Sequence, residues 1–278
     1  MTGLLVDLPQ PGYPAEYLLA RLAARRECWP EKWQGLAGWG ALAAEFRWLY
    51  GQLNRQLRHQ LAPLFVYGEL RPLFLFLRGL AAGDPAKGRE LLAATLLAEP
   101  LKDRLHHAAD LAGAARQLDQ CWPGEVALSR HCAAGGVAAL EAAATRRVLD
   151  AALRPAVLRP FWAAVVDLEN VLALAKRLRW QARRPFGYLH GGALGVRCLA
   201  QAEQAQAPAM VAAYAQPLGA AMQAGEWRLE ELLRQRVERQ LTRQAWPMAP
   251  AVAVAAYMWA AHGVARQQAM ALEGGCGT

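Results

Sequence analysis

The sequence predicts an all-α protein, and three observations carry that expectation. Ala, Leu and Arg dominate the 278 residues, whereas Ile is absent and Thr occurs five times, so strong helix formers abound and the β-branched residues of strands are scarce. Apolar side chains recur in threes and fours over long stretches, the spacing that lines one face of a helix. No run alternating with period two is long enough to demand a sheet. Genome composition can bias residue usage in the same way, so the periodicity carries the prediction.

From Trp39 the positions Trp39, Leu42, Phe46, Leu49, Leu53 and Leu57 form one continuous seam, predicting a helix of about five turns. Trp227, Leu229, Leu232, Leu233, Val237 and Leu241 repeat the pattern among Glu230, Glu231, Arg234, Arg236 and Arg239, a helix with one wet face. Further helices are expected near 14–27, 69–81, 86–98, 101–119, 134–153, 157–180, 193–204 and 206–222. Turn signals such as Gly83-Asp84-Pro85, Trp122-Pro123-Gly124 and Gly191-Gly192 separate them.

A chain of this length can bury a real core and divide into two or three helical lobes without a disulfide or metal staple. Cys28, Cys121, Cys132, Cys198 and Cys276 form no Cys-x-x-Cys pair, which fits reduced thiols in the cytosol or small buried hydrophobes. The opening Met-Thr-Gly-Leu-Leu-Val-Asp lacks a basic leader segment, so export is not expected. The longest uncharged stretch, 244–261, contains Pro247 and Pro250 and is at the short limit for crossing a bilayer. It is read as a buried core helix, and any membrane association is expected through a partner.

With 31 basic and 23 acidic residues the net charge is +8, which suits an acidic partner or, for most of these side chains, simply a solvated helix surface. The basic residues are spread along the chain without a dense run, so nucleic acid is not an expected partner. The single serine, Ser129, lies in Ala-Leu-Ser-Arg-His rather than a nucleophile elbow, which excludes a serine hydrolase. His106-His107 and His131-Cys132 are adjacent positions about 100° apart on a helix, poorly arranged to grip one ion. No phosphate-binding glycine loop or helix-borne carboxylate pair is present, and no catalytic group, metal or cofactor is expected.

A search for internal repeats finds one. The segments 69–78, 167–176 and 264–273 start 98 and 97 residues apart, and each follows an apolar or aromatic stretch, 61–67, 157–166 and 251–259. Three copies of one helical unit would produce this spacing. Within the middle copy Asp167, Glu169 and Asn170 precede Lys176, Arg177 and Arg179, and the chain has only two asparagines. Asp167 follows the apolar Phe161-Trp162-Ala163-Ala164-Val165-Val166, where a carboxylate needs partners or water. Asp167 and Asn170 are therefore read as a structural polar network rather than a contact surface, joined by Glu69 in the first copy. Arg177 and Arg179 fit either role.

Asp167-Leu-Glu-Asn-Val-Leu-Ala-Leu-Ala-Lys-Arg-Leu-Arg179, followed by His190-Gly-Gly-Ala-Leu194, resembles the C-type central-stalk family of the V/A-type rotary ATPases, whose eukaryotic homologue is the d-type component of the V-ATPase. Pro250 through Tyr257, leading into Val264-Ala-Arg-Gln267, is similar to the family's closing pattern, with Val264 in place of the acid and Gln267 in place of the Asn. Tyr17-Leu-Leu-Ala-Arg21 with Arg25 resembles its opening helix. Pro72 departs from the pattern where the first copy would carry Asn, and the chain is shorter than is usual for the family.

The resemblance implies a funnel of three pseudo-symmetric helical subdomains, expected at 1–100, 101–195 and 196–278. It implies a non-catalytic central-stalk rotor subunit on the cytoplasmic face of the membrane, coupling the shaft of the catalytic head to the membrane rotor ring during ion transport. The expected partners are the shaft subunits and the ring subunits. Arg21, Arg25, Arg78, Arg177, Arg179 and Arg266 are the candidate partner-facing side chains, because guanidinium groups pair bidentately with carboxylates. Two alternatives are a helical scaffold or adaptor unrelated to rotary ATPases, and a helical enzyme with a buried apolar pocket.

Overall fold

The computed structural model of the protein describes residues 2–9, 12–29, 38–180, 187–207, 210, 211, 214, 226–244 and 249–275. Among them are eleven α-helices: α1 (Ala15–Glu27), α2 (Gly38–Gln52), α3 (Arg55–Ala82), α4 (Ala86–Ala93), α5 (Glu99–His106), α6 (Leu111–Cys121), α7 (Leu128–Ala152), α8 (Arg159–Trp180), α9 (Val196–Gln204), α10 (Glu226–Gln244) and α11 (Pro250–Gly275). The described residues contain no extended strand, only an isolated antiparallel bridge between Leu5 and Leu97. The all-α expectation holds.

The helices group into two compact units. One comprises Met1–Ala151 with Ala249–Thr278, and the other Ala152–Met248. In the first, α11 packs on α2, α1 and α3, α4 lies along α3, and α6 packs on both α5 and α3. Its core is built of Leu18, Leu49, Leu53, Leu61, Phe65, Phe76 and Leu77, each essentially inaccessible to water. In the second, α10 and α9 both pack on α8, and Phe161, Trp162, Val165, Leu199, Leu229 and Leu233 are buried.

Several boundaries differ from the sequence expectation, each for a local reason. The seam from Trp39 to Leu57 is broken between α2 and α3, because the Asn54 side chain accepts the Leu57 N–H at 2.9 Å and starts a new helix. The helix expected at 69–81 starts fourteen residues earlier and runs through Pro63 and Pro72. The segment 101–119 is two helices, since Asp110 caps α6 by accepting the Gly113 N–H. The helix expected at 134–153 starts at Leu128 and is kinked at Gly135 and Gly136, the latter with φ 66° and ψ −153°, a conformation open only to glycine. The expected helix at 206–222 lies almost wholly outside the described residues.

The uncharged stretch 244–261 contributes the start of α11, whose residues 251–255 are buried. Among the described residues no helix is long and apolar enough to cross a membrane.

The two compact units do not divide the chain at 100/101: residues 100 and 101 lie inside α5, and residues 249–275 pack with the N-terminal helices.

The α3–α4 contact is close enough to test. A Cβ on Gly88 would lie 2.5 Å from Cα of Phe76, a backbone atom with no freedom to retreat. Gly88→Ala is expected to destabilise the protein by about 1–3 kcal/mol through overpacking, read from the midpoint and slope of chemical denaturation.

Candidate functional site

Glu69 and Asp167 are buried carboxylates on long helices, and each holds a loop that follows in the chain. In the first unit, α3 carries Glu69, and the Leu96 N–H donates to its Oε1 at 3.0 Å. The same loop is tied from the other side by the extreme N-terminal segment: Val6 N–H donates to the Leu96 carbonyl and Ala98 N–H to the Leu4 carbonyl, both at 2.9 Å. Two cations hold the carbonyls where α4 runs into the loop. Arg47 Nη2 donates to Ala94 O at 2.7 Å, and buried Lys102 Nζ donates to Ala93 O at 3.2 Å and to Glu99 at 2.9 Å. A small cavity lined by Leu4, Val66, Glu69, Leu97 and Trp122 lies beside the carboxylate.

In the second unit, α8 carries Asp167 and Asn170, which are 3% and 1% exposed. Ala193 N–H donates to Asp167 Oδ2 at 3.1 Å and Leu194 N–H to Oδ1 at 2.9 Å. The Tyr214 hydroxyl donates to Oδ2 at 3.4 Å. Asn170 makes a reciprocal pair with Leu189, accepting its N–H at 2.7 Å and donating to its carbonyl at 2.9 Å. The segment 189–194 is thus fastened at both ends to a single helix face.

The Gly191-Gly192 turn follows from this close approach. A Cβ on Gly192 would stand 2.1 Å from Asp167 Oδ1, and one on Gly191, which has φ +98°, would stand 2.3 Å from the Leu153 side chain. At Gly192 the loop can reach the short aspartate only without a side chain, and Gly191 supplies the positive φ of the turn. Glu69 is one methylene longer, and the corresponding places are Ala93, the last residue of α4, and its C-cap Ala94.

The two arrangements are related through the 98-residue interval. Glu69 and Asp167 differ by 98, Leu96 and Leu194 differ by 98, and each carboxylate accepts from the backbone 27 residues ahead. Pro72, at the position of Asn170, has no side-chain amide to offer, and residues 86–93 form helix α4 instead of a bonded loop. Val264, at the third position, is half-buried on α11 and carries no acid.

Burial sets the electrostatics. It raises the Glu69 carboxyl from an ordinary 4.5 to about 7, against the opposing pull of the Leu96 N–H, Lys102 and Arg47. Burial raises Asp167 as well, while the loop amides, Tyr214 and Arg236 lower it. Tyr214 is pushed up to about 12 by burial and by Asp167.

The candidate partner-facing arginines have different fates. Arg25 forms a bidentate ion pair with buried Glu45, at 2.6 and 2.8 Å, and stacks 3.9 Å from the Trp48 ring centroid. Arg177 pairs with Glu203 at 2.7 Å, lies over Tyr188, and shares that carboxylate with the Tyr188 hydroxyl. Arg78 on α3 pairs with Glu141 on α7, also at 2.7 Å, with its side chain 60% exposed. Arg25 and Arg177 are therefore engaged inside the fold. Arg266 is half-buried, its guanidinium held below its usual range by burial and by Arg71. Arg179 is exposed, and Arg21 is half-exposed among aromatic rings.

One network escaped the sequence reading. Trp29 Nε1 donates to the Tyr257 hydroxyl at 3.2 Å, Tyr257 donates to Glu45, and Glu45 accepts from Arg25. It joins α1, α2 and α11 across 212 residues of chain between Glu45 and Tyr257, a separation with no periodic signature. Among the described residues no group of three or more His, Cys, Asp or Glu is placed to hold a metal ion.

Two substitutions test the clamps. Glu69→Gln keeps an acceptor for Leu96 and removes the titration. Because the folded carboxyl is raised, its contribution to stability is fully present below about 4.5 and is lost as pH rises through about 7. The native protein should thus lose roughly 3 kcal/mol relative to Glu69→Gln across that window, measured by denaturation at stepped pH. Asp167→Asn replaces an acceptor of the paired Ala193 and Leu194 amides with a donor. It should weaken that anchor by roughly 1–3 kcal/mol, seen as faster hydrogen exchange at both amides with the α10 amides unchanged. No protein-family model matches the sequence, and no curated protein matches it significantly.

Proposed function

We propose that the chain is a rotor coupling subunit of a V/A-type rotary ATPase, linking the shaft of the catalytic head to the membrane rotor ring. The observation that carries this reading is the recurrence, 98 residues apart, of a buried helix carboxylate fastened to a loop amide 27 residues ahead. It supports the internal repetition that, together with the sequence resemblance, motivates the reading. In this reading the chain forms three related helical subdomains around a socket, with the third copy diverged at Val264.

A coupler of this kind makes and breaks no bonds itself. It must transmit torque with little internal yielding, and the clamps serve that purpose: they tie loops, ordinarily the softest parts of a helical protein, to long helices. The surplus of basic side chains suits carboxylate-bearing partners, with Arg179 and the exposed side of Arg78 the partner-facing groups in this assignment. Rim ion pairs of this sort are individually weak and salt-sensitive, which fits a socket that assembles and releases. Association with the cytoplasmic face of the membrane would then run through the ring.

Affinity-tagged chain, expressed in its own cells and recovered from membranes solubilised in mild detergent, is expected to bring down shaft and ring subunits identified by mass spectrometry. Moderate salt should release them. Recovery of the chain alone, or with soluble proteins unrelated to ion transport, would overturn the reading in favour of a helical adaptor.

A further inference from the structure

Arg21 occupies a built site that the clamps do not use. Its guanidinium lies 5.1 Å from the ring centroid of Tyr13, 5.7 Å from that of Tyr17 and 5.6 Å from that of Trp48. All three distances are within cation–π range. Among the described residues it forms no ion pair with a carboxylate. Its neighbour one turn on, Arg25, is neutralised by buried Glu45. Aromatic rings stabilise the faces of a guanidinium but leave its in-plane N–H edge without acceptors.

The surroundings are held in place before any partner arrives. Tyr13 N–H donates to the Gln52 carbonyl at 3.0 Å. Gly12, with φ +73°, sits so close to Leu53 that a Cβ would be 2.3 Å from backbone atoms. The turn before α1 is thereby fixed against the end of α2, while the Arg25–Glu45 pair fixes the body of α1 to α2. The Tyr13 and Tyr17 rings meet at a tilt, with centroids 5.0 Å apart, and the residues are 39% and 52% exposed, so the site opens to solvent. Tyrosine, tryptophan and arginine in one rigid patch are the residue types that dominate binding at protein interfaces, and rigidity lowers the cost of association.

We propose that Tyr13, Tyr17, Arg21 and Trp48 form a docking site for an Asp or Glu side chain in an acidic, amphipathic segment of a partner protein. The carboxylate takes the open edge of Arg21 in a bidentate pair, and apolar side chains beside it cover the two tyrosine rings. A cation between aromatic rings, without a carboxylate partner among the described residues, matches one carboxylate. An anionic bilayer draws its binding from several basic residues on one face. The proposal rests on the surroundings of Arg21 alone and is independent of the rotary-ATPase assignment.

The test uses the full chain and an acetylated, amidated decapeptide of alternating leucine and glutamate. The readout is the Trp48 indole N–H resonance, identified by its loss in Trp48→Phe. The acidic peptide should move this resonance saturably, while the same peptide with glutamine throughout leaves it in place. Arg21→Gln should weaken binding by roughly tenfold or more, and Arg21→Lys by less. Should Arg21→Gln fail to fold by circular dichroism, Tyr17→Ala, at an exposed ring, should still weaken binding roughly fivefold. No shift with the acidic peptide, equal binding of the glutamine peptide, or unchanged affinity in the folded variants would overturn the proposal. A shift produced by vesicles of phosphatidylcholine with one-third phosphatidylserine, and not by the peptide, would assign the surface to a membrane instead.

Discussion

A carboxylate taken out of water needs hydrogen-bond donors that cannot drift away, and the interior of a helix cannot supply them, because its amides are already bonded. Asp167 and Glu69 resolve this by drawing in a loop. The loop amides, otherwise exposed at a helix end, gain acceptors stronger than water, and the helix gains a partner for its charge. Much of the local geometry follows from that exchange: the glycine opposite Asp167, the reciprocal Asn170–Leu189 pair, and the Arg47 and Lys102 contacts that close the loop beside Glu69.

The same exchange explains why the two related sites differ in composition. A short acid demands that the backbone come close, which excludes a Cβ at Gly192. A long acid tolerates alanine there, and its loop is steadied instead by cations and by the pairing of Leu5 with Leu97. In each site the length of the acid and the composition of the backbone facing it match one another. The engaged arginines follow a parallel logic. Arg25 and Arg177 each answer a carboxylate within their own unit, so a basic surplus visible in composition is only partly a surface available to partners.

How much of this was legible in the sequence depended on range. Helices appeared wherever an apolar face repeated every three or four residues, and α10 matched its predicted wet and dry sides closely, with Leu229, Leu233, Val237 and Leu241 buried. Periodicity failed at the α2–α3 junction because the seam stays in phase through Leu53 and Asn54; the break is made by one capping side chain, which carries no hydrophobic signal. Asp167 and Asn170 stood out because polar groups after an apolar run need partners, and the partners proved to be the Gly-Gly turn already singled out. The Glu45–Tyr257 bond left no trace, since nothing in a linear pattern links residues so far apart. The interval between Glu69 and Leu96 was readable only once its twin, Asp167 and Leu194, was known to be bonded.

That long-range bond bears on how the protein comes into being. Helix α11 packs with α1 and α2, yet it is synthesised after the whole of residues 152–248. On the ribosome the middle unit can close on itself first, because its sequence is continuous. The N-terminal helices emerge early but wait for α11, with Trp29 and Glu45 unable to meet Tyr257 until that helix is released. During that interval the surface later covered by α11 is open to water and to other chains. The order of synthesis therefore completes the packing of these N-terminal helices only after residues 152–248 have been made.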